Sequence, residues 1–239
     1  MSNPIMLNNS THRNINIDTK KIEQLAARER MIPVVISEFL KLSVQYPIAF
    51  IKNSDTGRFL AVAIFGIEEG ENLFWENGQW SGVYTPLNIM RQPFSIGTDE
   101  SNGNEKVICI DTDSPCISRT GGARIFDDEG KETAFLEQAK SILSEIHESE
   151  IDTNTFIQCL LEHQLMKSVS LNITLANKEA LTVQGIYTID EEKLESLDKE
   201  ETYTLHNKNY LKLIYIMIAS MGHTYTLIDR KNKTVIAAA

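Results

Sequence analysis

The sequence predicts an α+β fold, with antiparallel β-hairpins forming a mixed or antiparallel sheet and helices packed on it. Three observations predict it. Asn77-Gly78 stands between two aromatic and apolar runs, and both central residues of a two-residue type I′ turn need φ > 0, which this pair tolerates. Two more pairs of apolar segments, Pro47–Lys52 with Arg58–Phe65 and Lys167–Leu175 with Ala180–Ile189, are joined by turn residues. Thr133–His147 carries Phe135, Leu136, Ala139, Ile142, Leu143 and Ile146 at helical spacing. Hairpins followed by separate helical runs are the α+β pattern.

Residues 1–11 are polar. His12–Asp18 alternates Ile15 and Ile17 with polar residues, which predicts a half-buried strand. Lys20–Arg30 reads as a short helix or a loop, and Met31–Ile36 as a strand. Ser37 then caps a helix of about eight residues with Phe39, Leu40 and Val44 on one side. Tyr46-Pro47 ends it. The near-continuous apolar content of the next hairpin suggests central strands covered on both faces.

At the Asn77-Gly78 hairpin, Glu76 pairs with Gln79, Trp75 with Trp80, and Leu73 lies opposite Gly82. Alternation then puts Leu73, Trp75, Trp80 and Tyr84 on one face, and Phe74, Ser81 and Val83 on the other. Pro86 suits the first position of a short helix toward Arg91, which Pro93 stops. Gly97–Glu105 reads as a polar surface loop and Lys106–Asp111 as a strand. Gly121-Gly122 bends the chain before Ala123–Phe126. Asp127–Gly130 is an acidic turn without the spaced ligands of a calcium loop.

The helix at Thr133–His147 and a second one at Ile151–Leu165 are separated by the acids of Glu145–Asp152. This junction divides an N-terminal lobe, residues 1–130 with the aromatic hairpin, from a C-terminal α+β lobe, residues 131–239; the alternative is one compact domain. Asp190 caps a short helix with Leu194 and Leu197 inward. Tyr203 and Leu205 make a brief extended piece. Asn207 or Asn209 starts a helix through Leu211, Ile214, Tyr215 and Ile218 that ends near Gly222. Thr224–Asp229 and Lys233–Ala237 then read as a final hairpin around Arg230–Asn232.

The 239 residues suit one domain or two closely packed lobes. A net charge of −10 argues against nucleic acid and against an anionic membrane surface. Cys109, Cys116 and Cys159 match neither a disulfide framework nor a zinc pattern. The N-terminus lacks an apolar signal core, and the longest unbroken apolar run, Leu213–Ala219, is far short of a membrane span. These features place the chain in the cytoplasm, with no membrane span.

No catalytic motif is legible. The five histidines are scattered, and HExxH, CxxC, G-x-S-x-G and Walker patterns are absent. Glu68, Glu69 and Glu71 read as an exposed acidic edge, and Asp111 and Asp113 as solvated turn residues. No catalytic residue, metal or cofactor is expected. Tyr46, Glu71, Asn72, Trp75, Trp80, Tyr84 and Arg91 are the candidate binding residues. Carboxylate and amide would orient a ligand, aromatics would supply buried area, and Arg91 would hold a carboxylate or phosphate by a bidentate pair. The competing reading of the tryptophans is core packing, since most aromatics bury for bulk area.

The runs GENLFW (Gly70–Trp75), GQW (Gly78–Trp80), YTP (Tyr84–Pro86) and Arg91-x-Pro93-Phe94 resemble the signature of the bacterial SapC family. YPIAFIK (Tyr46–Lys52), ICID (Ile108–Asp111), GIYTID (Gly185–Asp190) and the apolar helix at Tyr210–Ser220 are similar to it in order and spacing. Gln92 departs from the aromatic or basic residue expected there. The resemblance implies a bacterial partner role beside flavin-dependent tryptophan halogenases, cupin-like proteins and outer-membrane receptors. The expectation is therefore a non-catalytic cytoplasmic binding or adaptor protein for a protein or peptide partner. The alternatives are an enzyme of unrecognised type using the acidic-aromatic stretch, and a surface-layer component, which the family name implies.

Overall fold

The computed structural model describes residues 4–99 and 102–237. The chain begins with β1 (Ile5–Met6), β2 (Asn16–Ile17), β3 (Met31–Pro33), α1 (Phe39–Leu42), β4 (Ile48–Lys52) and β5 (Phe59–Ile64). The tryptophan hairpin, β6 (Trp75–Glu76) and β7 (Gln79–Trp80), leads to α2 (Leu87–Met90). Next come β8 (Phe94–Asp99), β9 (Glu105–Ile110), β10 (Ile117–Ser118), β11 (Ala123–Arg124) and the long α3 (Ala134–Glu162). The hairpin of β12 (Met166–Thr174) and β13 (Ala180–Ile189) precedes α4 (Glu191–Glu195), α5 (Lys199–Asn207), α6 (Tyr210–Ser220) and α7 (Thr224–Ala237).

The fold is α+β, as the sequence predicts, and the strand pairs described are antiparallel. The main sheet has five strands in the order β12-β13-β4-β5-β3, so strands from both halves of the chain share it. A second sheet has the order β1-β9-β8. Ile48, Ala49 and Phe50 are consecutive and all fully buried. Successive side chains leave a strand on opposite faces, so both faces of β4 are covered. Phe156 of α3 packs edge-on or tilted against Phe39, Phe50 and Tyr210, with ring centroids 5.1–6.4 Å apart. One contiguous core thus joins α1, the main sheet, α3 and α6.

Where one unbroken helix stands, α3, the sequence predicts two with a junction at Glu145–Asp152. Thr133 caps its start by accepting from the Leu136 N–H, and no proline or glycine interrupts Ala134–Glu162. The clustered acids leave the buried face to Leu143, Thr153, Phe156 and Ile157.

The C-terminal expectations also change. Tyr203 and Leu205 lie in α5, which a capping box starts: Asp198 accepts from the Glu201 N–H while the Glu201 carboxylate accepts from the Asp198 N–H. The apolar helix α6 ends at Ser220, near Gly222 as the sequence predicts. Gly222 sits in a 3-10 turn, Met221–His223, and the chain then re-enters helix as α7 instead of forming a hairpin. The run Tyr210–Ala237 reaches a mean hydropathy of 1.3 over its best window, long and apolar enough by length and composition to cross a bilayer, with 22% of that window buried. Counting only unbroken apolar residues misses this, because α6 and α7 form one helical run. In the fold, buried Ser220 accepts the Ile48 N–H of β4 at 3.0 Å, and α7 clamps the tryptophan hairpin.

Smaller corrections follow from local geometry. α1 is four residues long and turns Phe39 and Leu42 inward. Leu40 and Val44 are exposed, contrary to the shared face predicted for them with Phe39. Gly97–Asp99 belongs to β8 rather than to a loop, and residues 100 and 101 of that predicted loop lie outside the described residues. In the predicted strand His12–Asp18, only Asn16–Ile17 pairs. Pro86 is the residue before α2, its carbonyl accepting from Ile89 and Met90.

At the hairpin the predicted register holds, Trp75 with Trp80 and Glu76 with Gln79, and Asn77 and Gly78 have φ of 52° and 77°. One further bond follows in register, from the Ser81 N–H to the Phe74 carbonyl, and the Leu73 N–H then turns away to the Phe65 carbonyl. The predicted alternation of faces fails beyond it: Trp80 stacks on Phe74 at 6.5 Å and packs against Tyr46 and Phe65.

Candidate functional site: a cationic groove at Arg91

The site starts from Glu38, a fully buried carboxylate. It accepts from the Val35 N–H at 3.1 Å, the Leu87 N–H at 2.9 Å and the Tyr84 hydroxyl at 3.1 Å. These bonds fix the start of α2 against α1 and the end of β3. Arg91 caps the other end of α2.

The Arg91 guanidinium donates from Nε to Asn88 Oδ1 at 2.8 Å and from Nη1 to the Phe94 carbonyl at 2.7 Å. A guanidinium has five N–H groups, so three remain without a protein partner among the described residues. No carboxylate pairs with it there, and burial lowers its pKa from the ordinary arginine value. The guanidinium nevertheless stays charged, because arginine does not deprotonate in proteins.

Arg91 lines a groove of about 490 Å³. Its walls are Phe59–Ala61 of β5, Ser95 and Ile96 of β8, and one face of α3 bearing Leu143, His147, Glu150 and Asn154. Lys106 also lines it, its ammonium 3.4 Å from Thr98 Oγ1. Two cations thus stand with one acid, Glu150, on a molecule of net charge −10. The volume and the mix of apolar walls with a few polar groups suit a ligand site.

Only Arg91 of the seven candidate residues reaches this groove. Tyr46 is fully buried and donates to the Tyr84 carbonyl at 2.7 Å; burial pushes its hydroxyl up to about 12. Tyr46 and Trp80 converge on Gly82, and the buried Trp80 indole N–H lies beside the Tyr46 hydroxyl without a well-aligned hydrogen bond. Tyr84 is committed to Glu38. Glu71 accepts from the Ile67 and Glu68 N–H groups and pairs with Lys231 at 2.5 Å. Buried Asn72 donates to the Ala26 carbonyl and accepts from the Phe74 N–H. Trp75 is half-buried on β6. The structure therefore joins Tyr46, Trp80 and Tyr84 in one packed cluster, places Glu71 and Asn72 at the hairpin base, and sets Arg91 apart.

α7 completes the hairpin. Arg230 lies 4.3 Å from the Phe74 ring centroid and donates to the Leu73 carbonyl, Ser81 Oγ and Glu76. Lys231 pairs with Glu68 and Glu71. The acidic edge is thus an anchor for α7.

A SapC family model matches residues 7–227, nearly the whole chain. The chain belongs to the SapC family. No curated protein and no solved structure matches it. The SapC match takes in the hairpin, α2, the groove walls and α3, and ends inside α7 before Arg230 and Lys231.

Lys106, His147, Asn154 and Ile96 are groove residues that the sequence reading missed. The signal for those on α3 was present, since residues 143, 147, 150 and 154 recur at helical spacing. Nothing local showed that this stripe faces Arg91.

Proposed function

We propose that this SapC-family protein is a non-catalytic binding or adaptor protein whose groove receives a carboxylate-bearing segment of a protein partner. The observation that carries the reading is the half-buried Arg91 guanidinium, with three N–H groups unused and no carboxylate beside it among the described residues. Burying an unpaired charge is unfavourable, and an anionic ligand offsets that penalty. Lys106 adds positive charge at the same groove. We also propose that it acts in the cytoplasm, which its three buried free thiols support. The anchoring of α6 and α7 supports a structural role for that apolar run rather than a membrane span.

The test is cross-linking and pull-down in the native host, wild type beside Arg91→Ala and Lys106→Glu. The expected result is a stoichiometric protein partner that both substitutions weaken. Halogenase and cupin-like neighbours are the first candidates. No retained protein, together with turnover of a small molecule by the purified chain, would overturn the reading.

A further inference from the structure

We infer that the groove binds its partner by strand addition, with an extended peptide pairing antiparallel to the open edge of β8 and placing its C-terminal carboxylate on Arg91. This rests on the groove being a partner site, and it specifies the partner's chemistry.

The open edge follows from hydrogen-bond alternation. In an antiparallel pair, residues alternate between facing the neighbouring strand and facing away. The Asp111 N–H donates to the Pro93 carbonyl, so Phe94 opposite Ile110 faces away from β9, Ser95 opposite Cys109 faces it, and Ile96 opposite Ile108 faces away again. Two contacts agree with this phase. Ile108 gives its carbonyl to Leu7 on the other side of β9, and Phe94 gives its carbonyl to Arg91. The N–H and C=O of Ile96 are therefore the next groups along the edge without a partner among the described residues, and Ile96 lines the groove.

Arg91 sits in line with that edge. It holds the outward carbonyl of Phe94, so a strand added beside β8 meets the guanidinium where it passes Phe94. β8 runs from Phe94 to Asp99. A peptide that ends at Arg91 after pairing with Ile96 therefore runs antiparallel to β8. Its terminal carboxylate meets the three free guanidinium N–H groups. The opposite wall repeats the pattern: β3 pairs with β5 only from Val62 to Ile64, the Val34 N–H takes the Ala61 carbonyl, and Phe59 lies beyond in the same phase. The α3 stripe flanks the slot, so the peptide lies between a strand edge and a helix, a recurring mode of peptide recognition.

The test uses fluorescein-labelled hexapeptides with free C-terminal carboxylates, and the same sequences as C-terminal amides, in anisotropy titrations against the full chain. Free-acid peptides should bind, and amidation should weaken the best of them by at least about tenfold. Ile96→Pro should weaken them similarly, because it removes an outward N–H without breaking a ladder bond. The Ile96 amide should gain hydrogen-exchange protection on binding. Arg91→Lys should lose affinity, and Lys106→Glu, which leaves the Arg91 hydrogen bonds in place, should weaken binding as well. Equal binding of acid and amide, or an Ile96 amide that stays unprotected, would overturn strand addition. If an Arg91-dependent partner is still captured from the host, that failure leaves the groove reading standing; if Arg91 and Lys106 prove irrelevant to any partner, both fall.

Discussion

The Tyr84 hydroxyl donates to the fully buried carboxylate of Glu38 at 3.1 Å. Glu38 has no cationic partner among the described residues, and its other contacts are the backbone N–H groups of Val35 and Leu87. One side chain thus ties the tryptophan hairpin's exit, α2 and the end of β3 into a frame. Arg91 stands at the far end of that frame, so the geometry of the groove depends on a residue that does not line it.

Removing this carboxylate should be severe. Glu38→Ala strands two N–H groups and a hydroxyl in the interior, and the expected loss is about 3 kcal/mol. Tyr84→Phe should cost only about 1 kcal/mol, because the two backbone bonds remain. Urea unfolding of both variants checks the ratio.

Glu38 should also give stability a pH dependence. Burial raises its carboxyl above the ordinary value of 4.5, so the folded chain holds this proton more tightly than the unfolded one. Its contribution is complete below 4.5 and is lost as pH rises through the raised value. Urea midpoints measured from pH 4 upward should show a decline that Glu38→Gln flattens, even though the glutamine variant is less stable at low pH. Equal slopes for the two proteins would contradict the assignment.

Gly82 should not tolerate a side chain. A Cβ there would fall 1.8 Å from Tyr46 Oη and 2.6 Å from Trp80 Nε1. Gly82→Ala should cost about 1–3 kcal/mol by overpacking. Adding Tyr46→Phe should recover part of the loss, which a double-mutant cycle would read as coupling.

The acidic edge should prove structural. Lys231 and Glu71 are 12% and 19% exposed at their side chains, so Lys231→Ala leaves a largely desolvated carboxylate unpaired. The expected loss is about 2 kcal/mol, with partial recovery in Lys231→Met through the packing of its stem. Ending the chain after residue 227, where the SapC match stops, should loosen the hairpin, seen as faster exchange of the Ser81 amide, which donates to the Phe74 carbonyl.

Arg91 should behave oppositely. Arg91→Met removes two hydrogen bonds but also a poorly solvated charge, and stability should stay within about 1 kcal/mol of the wild type. Partner binding should be lost in the same variant. A large drop in stability would make Arg91 a structural residue and weaken the case for the groove.

Elements whose causes are local are legible along the chain. Asn77-Gly78 specified the turn and the Trp75–Trp80 register, because only residues that accept φ > 0 fit there. Asp190 and Thr133 marked helix starts through their own side chains. Local signals misled where two periods fit the same residues. Two short runs on either side of the charged Arg230–Asn232 segment made α7 read as a hairpin, and the acids of α3 read as a break when they are its solvated side. The Asp198–Glu201 capping box that starts α5 is a local signal of the same kind.

Which candidate residues are free to act is set by long-range packing. Tyr46, Glu71, Asn72, Trp80 and Tyr84 each have chemistry suited to recognition, but their partners come from distant segments such as α7 and the start of α1. The groove gathers β5, α2, β8 and α3 from residues 33 to 157. Whether a polar side chain is satisfied or left open depends on non-local packing, and no spacing within one segment encodes it.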